Sequence, residues 1–104
     1  MARFDVYRHP DAAFRKSTPY LLDIQNDYIS GVDTRVVLPM RAVKLFAARM
    51  RDLNPAFEIA GTEVVLDAAA IAAFPAGELR SPIDNLRSQA DVIVNALDTL
   101  FGSH

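Results

Sequence analysis

The chain has 104 residues, 51% hydrophobic and 23% charged, with a formal net charge of −2; this supports one folded domain over residues 1–104 and excludes wholesale disorder. It has no cysteine, which excludes disulfides, thiol catalysis and cysteine zinc sites. No apolar run approaches the ~20 residues that span a bilayer, and Met1-Ala2-Arg3-Phe4-Asp5 lacks a signal peptide's apolar stretch, so a cytoplasmic protein with no membrane partner is expected.

Phe4-Asp5-Val6-Tyr7 alternates apolar and polar residues and predicts a half-buried strand. His9-Pro10-Asp11 ends it with turn chemistry, and His9 reads as a plain loop residue. A polar surface loop is expected as far as Pro19. Tyr20–Asp27 reads as a second strand, with Leu22 and Ile24 on one face and Asp23, Gln25 and Asp27 on an outward one. Ser30-Gly31-Val32-Asp33 is a turn signal, and Arg35–Met40 is a short β-rich run. These strands are suited to pair as a hairpin.

Val43, Phe46, Ala47, Met50 and Leu53 share one helical face, which predicts a helix over Arg41–Leu53 stopped by Asn54-Pro55. Phe57-Glu58-Ile59 and Glu63–Leu66 look like two strands joined around Ala60-Gly61-Thr62. Periodicity alone does not assign Ala68–Phe74, and Pro75, Gly77 and Pro82 bracket a loop. The last segment predicts a long helix. Ser81 is a candidate cap, Pro82 suits the first helical position, and Asp84 has capping-box spacing. Ile83, Leu86, Ala90, Ile93, Leu97 and Leu100 form one apolar stripe that packs on a sheet, and Gly102 ends it.

The net charge conceals an asymmetry: residues 1–51 carry +4 and residues 52–104 carry −6. Arg35, Arg41, Lys44, Arg49 and Arg51 follow one another with no intervening acid. They read either as a solvated face or as a strip that attracts an acidic partner. The basic density is too low for a dedicated DNA-binding domain.

Catalytic signals are sparse. The four glycines lie far apart, so no phosphate loop is present, and no metal-ligand spacing joins His9 and His104. Asp23 and Asp27 on one strand would stand ~13 Å apart, too far for a shared-proton dyad or an inverting glycosidase pair. A binding protein without metal or cofactor is favoured over an enzyme.

Phe4–Tyr7, Leu22–Asp27, Arg35–Met40 with its proline, and Asn95–Phe101 in a terminal helix resemble, in order and spacing, the CcdB family. This family comprises the DNA gyrase poisons of type II toxin–antitoxin modules. The resemblance spans nearly the whole chain, with one-residue slips near Asp11–Pro19 and Ala47–Met50. It implies an α+β, mainly β fold: a small barrel-like antiparallel sheet related to the Kid and MazF toxins, with a long C-terminal helix. Only a short helix within Arg41–Leu53 is compatible with that fold.

The resemblance also implies a homodimer that wedges into the gyrase A-subunit dimer and traps the cleaved DNA complex without covalent chemistry of its own. Its gyrase contacts fall on Tyr28 and Ile29 and on Asp98, Phe101, Gly102, Ser103 and His104. A cognate CcdA-like antitoxin would neutralise it, and operator DNA would be met only through the toxin–antitoxin complex. Arg35, Arg41, Lys44, Arg49 and Arg51 are the candidate antitoxin contacts. Where the family ends in Trp-Gly-Ile after the phenylalanine, this chain has Gly102-Ser103-His104 and no tryptophan, and Asp98 replaces asparagine. The alternatives are a degenerate toxin kept as an antitoxin-binding co-repressor and a MazF-like endoribonuclease.

Overall fold

Alternation along the first strands sorts residues onto two sheet faces. In the computed structural model, which describes residues 1–29, 31–47 and 49–102, β1 (Asp5–Arg8), β2 (Tyr20–Asp23) and β3 (Thr34–Ala42) run antiparallel. Val6 lies opposite Leu22, and Leu22 opposite Leu38. These residues and Met40 are fully buried in the main core. The intervening residues Tyr7, Leu21 and Val37 form a second, smaller core with Leu79 and Phe74 on the opposite face.

β4 (Ala56–Ile59) and β5 (Thr62–Leu66) form a hairpin with Ile59 opposite Thr62. Its two-residue turn, Ala60-Gly61, has positive φ at both positions, the geometry that favours glycine and matches the strand twist. β5 pairs with the C-terminal part of β3, and β6 (Ala72–Pro75) pairs with the N-terminal part. β7 (Asp84–Asn85) closes the other edge against Asp5 and Val6. α1 (Ala90–Phe101) covers the main core through Ile93 and Ala96, beside the turn Ala68–Ala70. The architecture is the mostly antiparallel, barrel-like sheet with a C-terminal helix that the family resemblance implies.

Three local expectations are corrected. Among the described residues the Arg41–Leu53 helix is not formed; β3 continues to Ala42 because Arg41 and Ala42 pair with Val65 and Val64, and a 3-10 turn, Val43–Leu45, follows. Asn54 then ties the irregular segment down, accepting from Met50 N–H at 2.9 Å and donating to the Leu66 carbonyl at 3.0 Å. The terminal helix begins at Ala90 rather than near Ser81. Ser81 has a φ of +52°, unlike a cap, and Ile83 N–H donates to the Val6 carbonyl at 2.8 Å. Edge hydrogen bonds to β1 therefore hold residues that the apolar spacing assigned to the helix, and Ile83 is left 41% exposed. Finally, β2 ends at Asp23 rather than Asp27, because the chain leaves the sheet to turn on Asn26; Ala68–Phe74, which periodicity leaves unassigned, supplies a turn and β6.

Candidate functional site

Beyond β2 the chain turns on Asn26. Its side chain accepts from Tyr28 N–H at 2.9 Å, and its carbonyl accepts from Ile29 N–H at 3.0 Å. The turn carries Tyr28 into solvent at 95% exposure, with Ile29 at 48%. Beneath it, the Asp27 carboxylate accepts from Arg3 N–H at 2.8 Å and lies 3.8 Å from Arg35 and 3.6 Å from Arg87. An aromatic side chain is thus displayed on a turn anchored to three separate parts of the chain.

Asp23 and Arg35 form the base of this support. Asp23 was expected on an outward face, yet it is fully buried and bonded to Arg35 Nε at 2.8 Å. Its other oxygen accepts from Gln25 N–H at 2.9 Å. Burial pushes the Asp23 carboxyl above the ordinary carboxylate range, against the pull of those hydrogen bonds. The sheet face that carries Leu21 and Asp23 instead holds the smaller core of Tyr7, Leu21, Val37 and Leu79, with Phe74 packed against it, while Asp27 stays exposed.

The second candidate surface is the end of α1. Ile93 and Ala96 point into the core, whereas Val94 and Phe101, seven residues apart, emerge on another face beside Leu97. Phe101 is 66% exposed. Asp98 is half-buried, and its carbonyl accepts from Gly102 N–H at 2.9 Å. Gly102 has a φ of +77°, the left-handed cap that stops the helix. Ser103 and His104, also expected at this surface, lie outside the described residues. Among the described residues, no hydrogen bond or ion pair joins the Tyr28 turn to Phe101. Val94 is the member of this stripe that the sequence reading missed; its seven-residue spacing from Phe101 was the available signal.

The basic strip does not survive intact. Arg35 is buried in its ion pair, and Arg41 is half-buried, 3.0 Å from Asp67 and donating to the Thr18 hydroxyl. Arg35 is thus not free to meet a partner as a surface charge, and Arg41 already uses Nε and Nη1 within the chain. Lys44, Arg49 and Arg51 are exposed along the irregular segment. Lys44 borders a cleft of about 520 Å³ with Lys16, Val43, Leu45 and Glu63, and Leu45 is 59% exposed. A short apolar surface flanked by cations results.

His9 is buried rather than a plain loop residue. Its Nδ1 accepts from Asp11 N–H at 3.0 Å, and its ring packs between Phe14 and Phe74. Burial holds its imidazole below the usual value despite the nearby Asp11 carboxylate. Among the described residues, no group of acids and histidines has the geometry to hold a metal ion, and no helix is long and apolar enough to cross a membrane.

A protein-family model described as "CcdB protein" matches residues 3–102. A search of the curated proteins finds no match.

Proposed function

The chain belongs to the CcdB family, the toxins of toxin–antitoxin systems, and on that premise we propose that it acts as a homodimer that binds the DNA gyrase A subunit and traps the cleaved gyrase–DNA complex. The observation that carries this reading is Phe101, a large aromatic side chain 66% exposed at the end of a capped helix. Such a group raises the free energy of the isolated protein and recovers it when a partner pocket removes the ring from water. Tyr28 and Ile29 supply a second apolar contact from an anchored turn. No bond in DNA is made or broken by this chain; stabilising the cleaved state by binding it selectively suffices to trap it.

The Val94–Leu97–Phe101 stripe, exposed at Val94 and Phe101 and half-buried at Leu97, supports the dimer. A two-fold axis beside it would bury the apolar side chains of both protomers and present paired helix ends to a symmetric partner. Lys44, Arg49 and Arg51 support a docking strip for the antitoxin, speeding its encounter through opposite charge.

The test mixes the full chain with gyrase and supercoiled plasmid and counts linear DNA after denaturation and proteolysis. Accumulation of linear DNA, reduced in Phe101→Ala, is expected. Antitoxin binding without linear DNA would replace this reading with the co-repressor alternative. Cleavage of RNA by the pure chain would favour the endoribonuclease instead.

A further inference from the structure

Away from these surfaces, three arginines from distant parts of the sequence border one cleft of about 520 Å³. Arg8 ends β1, Arg15 follows the turn Ala12–Phe14, and Arg80 precedes β7. All three are exposed. Two are held in place: Arg15 Nε donates to the His9 carbonyl at 2.7 Å, and Arg80 Nε to the Gly77 carbonyl at 3.4 Å. Their terminal nitrogens have no partner among the described residues, nor does the Arg8 guanidinium. Glu78 is the one acid among the lining residues and makes no ion pair with them there.

Three guanidiniums around a shared space repel one another. An anion in the cleft removes that repulsion. Using Nε for a backbone carbonyl holds Arg15 and Arg80 in place at the cleft while leaving their Nη atoms without a partner among the described residues, which lowers the ordering cost of binding. A single carboxylate is satisfied by one guanidinium fork; three forks match the larger oxygen set of adjacent phosphate groups. The Ser81 hydroxyl, on a residue with a φ of +52°, adds a donor to the lining. The chain as a whole is acidic, with a sequence pI of about 5.5, so attraction of a polyanion must come from this local arrangement.

We propose that the Arg8–Arg15–Arg80 cleft is a binding site for adjacent phosphate groups, carried by a free polyphosphate or by a nucleic-acid strand. The cleft shares no lining residue with the gyrase and antitoxin contacts proposed above, so its test is separate from theirs.

The test titrates sodium pyrophosphate into the full chain by calorimetry at neutral pH and fixed ionic strength. Binding tighter than ~1 mM is expected. Arg8→Gln and Arg80→Gln should each weaken it by about tenfold, while Arg49→Gln, an exposed arginine outside the cleft, should change it by less than about twofold. Arg15→Gln also loses the bond to His9; if it fails to fold, Arg8→Gln still decides the matter, because the Arg8 side chain has no partner to lose among the described residues. A labelled short oligothymidylate distinguishes the sources. Strand binding competed by pyrophosphate and weakened by Arg8→Gln assigns the strand; pyrophosphate binding without strand binding assigns the free polyphosphate. Absence of both, an equal loss in Arg49→Gln, or tighter binding of oligoglutamate than of pyrophosphate would overturn the proposal.

Discussion

Raising the pH should destabilise the fold through Tyr7. Its side chain is 1% exposed, and its hydroxyl donates to the Asp5 carboxylate at 3.3 Å. Burial, then the negative charges of Asp5 and Asp23, push the phenol from 10.0 up to about 12, with Arg35 offsetting only part of this. In the unfolded chain the phenol ionises near 10. Below that pH both states hold the proton, and the group gives stability no slope. Between about 10 and 12 the unfolded chain has released a proton that the native state keeps, so stability falls as pH rises through this window. Two pH units at ~1.36 kcal/mol each come to about 3 kcal/mol, a large share of a small domain's 5–15 kcal/mol.

The assay is urea unfolding of wild type and Tyr7→Phe at one protein concentration, from about pH 8 to about pH 11.5. At neutral pH the variant should be less stable by ~1 kcal/mol, the worth of its lost hydrogen bond. Titration of the other groups is common to both proteins and drops out of the difference. The variant should overtake the wild type near about pH 11, where the wild type has lost more than ~1 kcal/mol through this phenol. Parallel curves across the whole range would refute the reasoning, because a buried, proton-retaining Tyr7 cannot give them.

The remaining predictions concern the ion pair and the partner surfaces. Arg35→Leu leaves a buried carboxylate without its partner and should cost about 3–5 kcal/mol in urea unfolding, whereas Lys44→Ala should stay within ~0.5 kcal/mol. Phe101→Ala should weaken gyrase A-subunit binding by about 30-fold, measured by surface capture, and should shift the melting midpoint by less than ~2 °C. Replacing Lys44 and Arg51 together by Glu should slow antitoxin association by roughly tenfold at low salt, in stopped-flow measurements, and reduce its salt dependence; unchanged rates would remove the charge strip from the account.

The sequence made some of these features legible and concealed others for identifiable reasons. The β4–β5 hairpin was readable because Ala60-Gly61 sits between alternating segments, and local chemistry alone decides such a turn. The alternation that puts Leu22 and Asp23 on opposite faces holds within β2, which ends at Asp23. Its error lay in giving Asp23 to solvent. The cover comes from Phe74 and Leu79, more than 50 residues away, in a stretch whose alanines carry no period. Arg35 was misread for the same reason: a cation in a basic run looks exposed until its partner's burial is known. The early start of the terminal helix failed differently. Ile83 and Leu86 fit the apolar stripe, but a sheet edge at Phe4 and Val6 competes for their backbone N–H groups and wins. The candidate surface residues Tyr28 and Phe101 came from the family resemblance, since no period distinguishes an exposed aromatic from a buried one.

The geometry of the two apolar patches bears on how a partner is met. Asp27 holds the Tyr28 turn and lies 3.6 Å from Arg87, in the segment that leads into α1. From Ala90 at the start of that helix to Phe101 at its end is roughly 17 Å at 1.5 Å per residue. The turn is therefore tied near the entrance of α1, while Phe101 is displayed at its exit. A small pocket does not take both from one chain. In a two-fold assembly with α1 near the axis, the two Phe101 rings would converge while the Tyr28 turns stood outside them, an arrangement suited to a wide, symmetric cleft. The anchored turn and the capped helix end hold each patch in place within a chain, and in the proposed dimer such fixed spacing would let two modest apolar contacts act together as one binding surface.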